Sequence, residues 1–262
     1  MAYNKRKHLR QNIDALKVAF TLDREQRTPT PEEKNILAAY SGFGAIKEVL
    51  ETPAIKQKPD GIAALITELY RVIKENTANE REYKRYIDGL KSSVLTAFYT
   101  PVHIVEAITM SLLRTGFTPK RVLDPSAGNG IFGSVMKFFE PDAEFSFFEK
   151  DPVTGLILRH LHPKDKVRIK GYETIESKYA SYYDLVTSNI PFGDVALFDP
   201  FFSTHTDPVR RQGTRTLHNY FFMKSVDTVR EGGLIAFITS QGVLNSEQNR
   251  PVREWLMDRT EV

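Results

Sequence analysis

Cysteine is absent from the 262 residues. That excludes disulfides and thiol catalysis, and with them the cysteine-ligated zinc of base deaminases. A reducing cytoplasm suits such a chain. Long apolar runs are missing too, so no membrane-spanning helix is expected. The basic start, Met1 to His8, has no apolar region behind it and does not read as a secretory signal. No metal is expected: His103, His160, His162, His205 and His218 show no metal-ligand spacing. The phosphate-loop Gly-Lys-Ser/Thr signature is missing, which sets ATP aside. The run Asp124-Pro-Ser-Ala-Gly-Asn-Gly130 is read as departing from the dinucleotide Gly-x-Gly-x-x-Gly pattern, which sets NAD aside. Net charge is only +3, so the chain as a whole is not a polycation. Two local clusters stand out, Lys5, Arg6, Lys7 and Arg10, and Arg210, Arg211 and Arg215 in a Gly- and Thr-containing loop. Each suits either phosphate tracking or plain solvation.

What is present is a core-forming composition, 41% hydrophobic. The first ~90 residues read as helical. Apolar residues recur at helical spacing from Asn12 to Leu22. Thr30, Pro31 and Glu33 form a capping-box start for a helix that stops at Ser41-Gly42-Phe43-Gly44. Further helices are expected at Ala45–Leu50, Ile62–Lys74 and Glu80–Leu90, with a loop from Pro53 to Gly61. Residues 1–92 are thus read as an all-helical region that covers a sheet or links to other modules. From residue 93 the texture changes. Thr100 and Pro101 set up a helix as cap and first turn. Strands at Arg121–Asp124, Glu144–Phe148, Val167–Lys170, Leu185–Thr187 and Leu234–Thr239 alternate with helices, among them His218–Arg230 and Glu247–Met257, and Glu231-Gly232-Gly233 reads as a turn. That alternation predicts an α/β fold: a Rossmann-like, doubly wound, mostly parallel sheet over residues 93–262, behind the helical N-terminal region.

The chemistry concentrates at the carboxyl ends of these strands, where ligands bind in open α/β sheets. After the first strand comes a Gly-rich turn, with Gly128 and Gly130 permitting close backbone approach. Asp124 at the strand end can accept a hydrogen bond from a cationic or hydroxyl group. Glu149 ends the second strand about 20 residues later, where dinucleotide folds bind ribose hydroxyls. After the fourth strand come Asn189, Ile190, Pro191 and Phe192. The Asn189 side-chain oxygen and the Ile190 carbonyl can accept two amino hydrogens, and the Phe192 ring can stack on a base. This set suits an exocyclic amine, although Asn and Pro are also ordinary turn residues.

These residues carry a resemblance. Asp124-Pro-Ser-Ala-Gly-Asn-Gly130 is similar to motif I of S-adenosylmethionine-dependent amino-methyltransferases. Asn189-Ile-Pro-Phe192 resembles their Asn-Pro-Pro-Tyr/Phe catalytic motif, and Phe98-Tyr-Thr-Pro101 resembles the cofactor motif that precedes motif I in one class. The order matches adenine-N6 DNA methyltransferases of the class that includes type I restriction modification subunits. Tyr40-Ser-Gly-Phe-Gly44, Asn189 to Asp194, His218-Asn-Tyr-Phe-Phe222 and Gly232 to Ser240 further resemble the methylase region of large proteins of conjugative elements and phages, often with a helicase-like region downstream.

The resemblance implies roles residue by residue. Tyr99, Thr100 and the turn with Asp124, Pro125, Ala127, Gly128 and Gly130 hold the methionine part of S-adenosylmethionine. Glu149, beside Lys150, binds the ribose. Glu173, with Tyr172, contacts the adenine of the cofactor. Asn189, Ile190, Pro191 and Phe192 form the catalytic motif, and no metal is needed. DNA is the implied partner, through Arg210, Arg211 and Arg215 and through regions outside this chain. Ile190 stands where the family usually has Pro, so Ile190→Pro is expected to preserve or raise activity. That departure keeps open a cofactor-binding but non-catalytic module of a larger mobile-element protein. RNA and protein-glutamine methyltransferases share this kind of motif and form a further alternative. The superfamily has a seven-stranded sheet, whereas five strands are read here. The chain is therefore expected to be a fragment of a longer protein, with its fifth strand as an open sheet edge.

Overall fold

The structure, a computed structural model, describes residues 4–44, 46–51, 61–96, 99–191 and 195–261. In chain order the elements are α1 (Lys5–Glu25), α2 (Pro31–Ala38), α3 (Gly61–Glu75), α4 (Glu80–Thr96), α5 (Val102–Arg114), β1 (Arg121–Asp124), α6 (Ile131–Phe139), β2 (Glu144–Phe148), α7 (Pro152–Leu161), β3 (Lys166–Arg168), β4 (Tyr183–Asn189), α8 (Pro200–Ser203), α9 (Pro208–Gly213), α10 (Leu217–Thr228), β5 (Val229–Ile238), α11 (Gly242–Asn245) and α12 (Arg250–Met257). The strand order is β3-β2-β1-β4-β5. The pairs β1–β2, β1–β4 and β4–β5 are parallel. Among the described residues no helix is long and apolar enough to cross a membrane, and no group of three or more acidic or histidine residues could hold a metal ion.

The chain divides into two compact units. The first contains residues 1–99, 128–130 and 149–170. Its helices start where the caps predict. The Asn4 side chain accepts from the Lys7 amide to begin α1, and Thr30 and Glu33 form the reciprocal capping box of α2. The α1 stripe Leu9, Ile13, Leu16 and Phe20 is buried with Leu37, Tyr40, Leu69, Ile73 and Leu156. Each such aliphatic side chain contributes about 1.5–3 kcal/mol of burial. The helix is longer than expected because the basic cluster lies on it rather than in a tail. Lys5 pairs with Glu48 at 2.9 Å and Arg10 with Glu68 at 2.6 Å, so those two charges serve the fold. The helix expected over Ala45–Leu50 is a single 3₁₀ turn, Lys47–Leu50. Residues 52–60, most of the expected loop, lie outside the described residues, as does Phe98.

The second unit contains residues 100–127, 131–148 and 171–262. β4 is an interior strand, buried along nearly its whole length and paired on both sides. Leu123, Val186, Ile190, Phe202, Tyr220, Met223 and Trp255 share one core. Two local readings fail here. Glu231-Gly232-Gly233 is not a turn that precedes a strand but part of β5, which starts at Val229. The pairing jumps from Tyr183↔Val229 to Leu185↔Leu234, and Gly232 takes φ +68° inside that bulge. Thr100 is not the cap of α5 either: Pro101 occupies the N-cap position, without a side-chain bond.

Candidate functional site

In the second unit, two side-chain pairs lie at the carboxyl ends of β1 and β4. Asp124 is fully buried. Its Oδ1 accepts from the Ser188 hydroxyl at 2.7 Å and the Ser126 amide at 3.2 Å. Its Oδ2 is buried with no hydrogen-bond partner among the described residues. Burial pushes the Asp124 carboxyl up to about 7, against the opposing effect of those two donors. Beside it, Asn189 ends β4, and its Nδ2 donates to Thr100 Oγ1 at 3.1 Å. Thr100 thus spends its hydroxyl on orienting an amide rather than on starting a helix. With Nδ2 engaged, Oδ1 is the acceptor end of that amide. Ile190 follows with its side chain fully buried and its amide donating to the Ile238 carbonyl at 3.1 Å, which extends the β4–β5 ladder by one bond. Pro191 is half-buried, and Phe192 lies outside the described residues.

In the first unit, Glu149 carries the turn. Its Oε2 accepts from the Gly128 amide and its Oε1 from the Asp151 amide, both at 2.8 Å. Gly128 and Gly130 have φ of +56° and +80°, where a side chain would be strained. A Cβ on Gly128 would come within 3.2 Å of the Tyr99 ring. Lys150 is exposed. Extended by three residues, the turn reads Gly128-x-Gly130-x-x-Gly133, so it does match the dinucleotide spacing. Placement separates the two cases. The first Gly of a dinucleotide turn makes the tight turn directly after the strand, whereas here β1 ends at Asp124 with Pro125, Ser126 and Ala127 intervening. A buried carboxylate at the strand end with an open oxygen favours a cation or a hydroxyl donor over an anion.

Other expected site residues fare differently. Tyr172 is a core residue, 2% exposed, with its hydroxyl 2.9 Å from Thr228 Oγ1 and its ring against Phe148 and Phe221. Neither its ring nor its hydroxyl is available to a ligand. Glu173 is half-buried. Arg210 lies on α9, not in an open loop; it donates to Asp227 at 2.7 Å and its guanidinium lies 5.0 Å from the Trp255 ring centre. Arg211 donates to the carbonyls of His205 and Thr206 but stays exposed, and Arg215 is exposed. Sequence reasoning missed Ser188 and Ser126. The only signal for them was position, next to Asn189 and Asp124.

No protein-family model matches the chain. It is 26% identical over 177 residues to Defense against restriction protein B of Escherichia phage P1, covering 66% of this chain and 7% of that protein. It is 27% identical over 176 residues to Type II methyltransferase M.XamI of Xanthomonas campestris pv. amaranthicola, covering 62% and 33%. The chain thus matches a third or less of the length of either relative. Among solved structures it resembles a candidate class I S-adenosylmethionine-dependent methyltransferase of Listeria monocytogenes, with a TM-score of 0.52, 15% identity and coverage of 98% and 80%. With its parallel sheet and flanking helices, the chain has the class I S-adenosylmethionine-dependent methyltransferase fold.

Proposed function

We propose that this chain is the catalytic domain of a DNA methyltransferase that transfers a methyl group from S-adenosylmethionine to the N6 amino group of adenine. The observation that carries the reading is the end of β4, where Thr100 fixes the Asn189 amide and the ladder bond to Ile238 fixes the Ile190 peptide. Two acceptors, Asn189 Oδ1 and the Ile190 carbonyl, then draw on the two amino hydrogens, which leaves the nitrogen lone pair for in-line attack. The chain's contribution is positioning and electrostatics. In a duplex the adenine must leave the stack first, at a cost of a few kcal/mol, and Phe192 is proposed as the ring that receives it. The Type II methyltransferase among the relatives supports methyl transfer as the reaction.

The residues present fit the cofactor. In the second unit the buried open oxygen of Asp124 suits an ammonium donor, and in the first unit Glu149, bonded to the Gly128 amide, suits ribose hydroxyls. Glu173 is proposed to meet the adenine amino group; Tyr172 is withdrawn from that role because its hydroxyl is committed. The cofactor supplies an electrophilic methyl group on a sulfonium. DNA phosphates are assigned to Arg211 and Arg215, while Arg210 holds α9 in place. The test is methylome sequencing of cells that express the natural full-length protein, with Asn189→Ala as the control. Sequence-specific N6-methyladenine that disappears in the control is expected; the same methylation in both would overturn the mechanism.

A further inference from the structure

The N-terminal helical unit holds a hydrogen-bond chain that starts at residues with no part in the proposed reaction and ends on one that has. The Tyr40 hydroxyl, fully buried, donates to Thr154 Oγ1 at 2.8 Å. The Thr154 hydroxyl in turn donates to Asp151 Oδ2 at 2.6 Å. The Asp151 amide donates to Glu149 Oε1, and the other oxygen of Glu149 takes the Gly128 amide, each at 2.8 Å. A line of short bonds therefore runs from the end of α2 to the carboxylate assigned to the ribose and on to the glycine turn. A second line runs beside it. Asn12, with no exposed surface, grips the loop after Tyr40 by both ends of its amide: Nδ2 donates to the Gly42 carbonyl at 2.6 Å, and Oδ1 accepts from the Ser41 amide at 2.9 Å. The Tyr99 ring lies against Gly42, which has φ +70° and where any Cβ would collide with that ring. The opposite edge of the ring lies near Gly128. Asn129, in the turn itself, donates to the Tyr40 carbonyl at 3.3 Å.

A covering helix needs apolar contact only. A fully buried asparagine and a buried tyrosine hydroxyl are costly unless every bond is made. Here their bonds end on the Tyr40–Gly42 loop and, through it, on Tyr99, Glu149 and the glycine turn. We propose that the Tyr40–Gly42 loop is a positioning element of the cofactor site, which holds Tyr99 and Glu149 in the arrangement that receives the nucleoside and methionine parts of S-adenosylmethionine. This rests on the cofactor assignment above. Tyr40 acts through Thr154 and Asp151 on Glu149, and Gly42 acts through the Tyr99 ring.

The test is calorimetric titration of S-adenosylhomocysteine into the whole chain, with unfolding midpoints measured alongside. Tyr40→Phe removes one oxygen and keeps the packing, and it is expected to weaken binding about tenfold. Gly42→Ala is expected to weaken it more. In a Tyr99→Ala background, where the ring that Gly42 faces is gone, Gly42→Ala should cause no further loss. Additive losses in that cycle, or Tyr40→Phe binding as the parent does, would overturn the proposal. If Gly42→Ala does not fold, Tyr40→Phe alone decides. A parent chain that binds no S-adenosylhomocysteine would overturn the cofactor assignment itself, an outcome distinct from a parent that binds and variants that match it.

Discussion

Ile190→Pro restores the residue that related catalytic motifs carry, and on sequence alone it should be harmless. The structure predicts a cost in stability. The Ile190 amide donates to the Ile238 carbonyl at 3.1 Å, and proline has no amide hydrogen. The substitution leaves that carbonyl unpaired, at a cost of about 1–3 kcal/mol. The Ile190 side chain is fully buried in the same core as Leu123, Val186, Phe202 and Tyr220. The smaller proline ring vacates about one methylene, roughly 1 kcal/mol more. The sum is about 2–4 kcal/mol, or about 4–16 °C in Tm for a chain of this size. Ile190→Val is the control. It keeps the amide and should lose only about 0.5–1.5 kcal/mol. Urea unfolding followed by circular dichroism measures both. If Ile190→Pro unfolds at the parent's midpoint, the ladder bond beyond β4 contributes nothing, and the account of how the Ile190 carbonyl is held in place is wrong.

Asn189→Ala should abolish methyl transfer to adenine while S-adenosylhomocysteine affinity stays within about twofold, as read by calorimetry; a large loss of affinity would assign Asn189 to the cofactor instead. For Asp124, whose carboxyl is pushed up to about 7 by burial, the native state keeps a proton that the unfolded chain has already released near pH 4. Stability attributable to it therefore falls as pH rises from about 4 to 7 and levels off above. Asp124→Asn should remove that slope from denaturation curves measured across the window, and an unchanged slope would refute the assignment. Arg215→Ala should reduce the dependence of log K on log salt for DNA binding by about 0.9 without changing stability. Arg210→Ala should instead lower stability by roughly 1–3 kcal/mol, through loss of the Asp227 pair.

The parts of this molecule that were legible from sequence are those decided within a few residues. Thr30 and Glu33 cap α2 as read, because both bonds of the box close inside four residues. β1 and β2 span the short segments around Val122-Leu123 and Phe145–Phe148 that read as strands. The glycine turn has the positive φ values that its residues announce. The failures have the opposite character. Glu231-Gly232-Gly233 carries turn chemistry, yet pairing with β4 draws it into a strand, and the glycines serve a bulge. Tyr172 stands next to an acidic residue at a strand end, yet the hydroxyl of Thr228, 56 positions away, claims it for the core. Tyr40 reaches Thr154 across 114 positions. Ser188 shows why such pairs stay hidden. In the run Thr187-Ser188-Asn189 it reads only as a polar residue within a buried strand. Its worth depends on the register Leu123↔Val186, which carries β4 past the end of β1 and sets the Ser188 hydroxyl against Asp124 Oδ1. With Oδ1 occupied in this way, Oδ2 becomes the oxygen that a ligand can use. The sequence names the carboxylate, but which of its two oxygens is open follows from strand register.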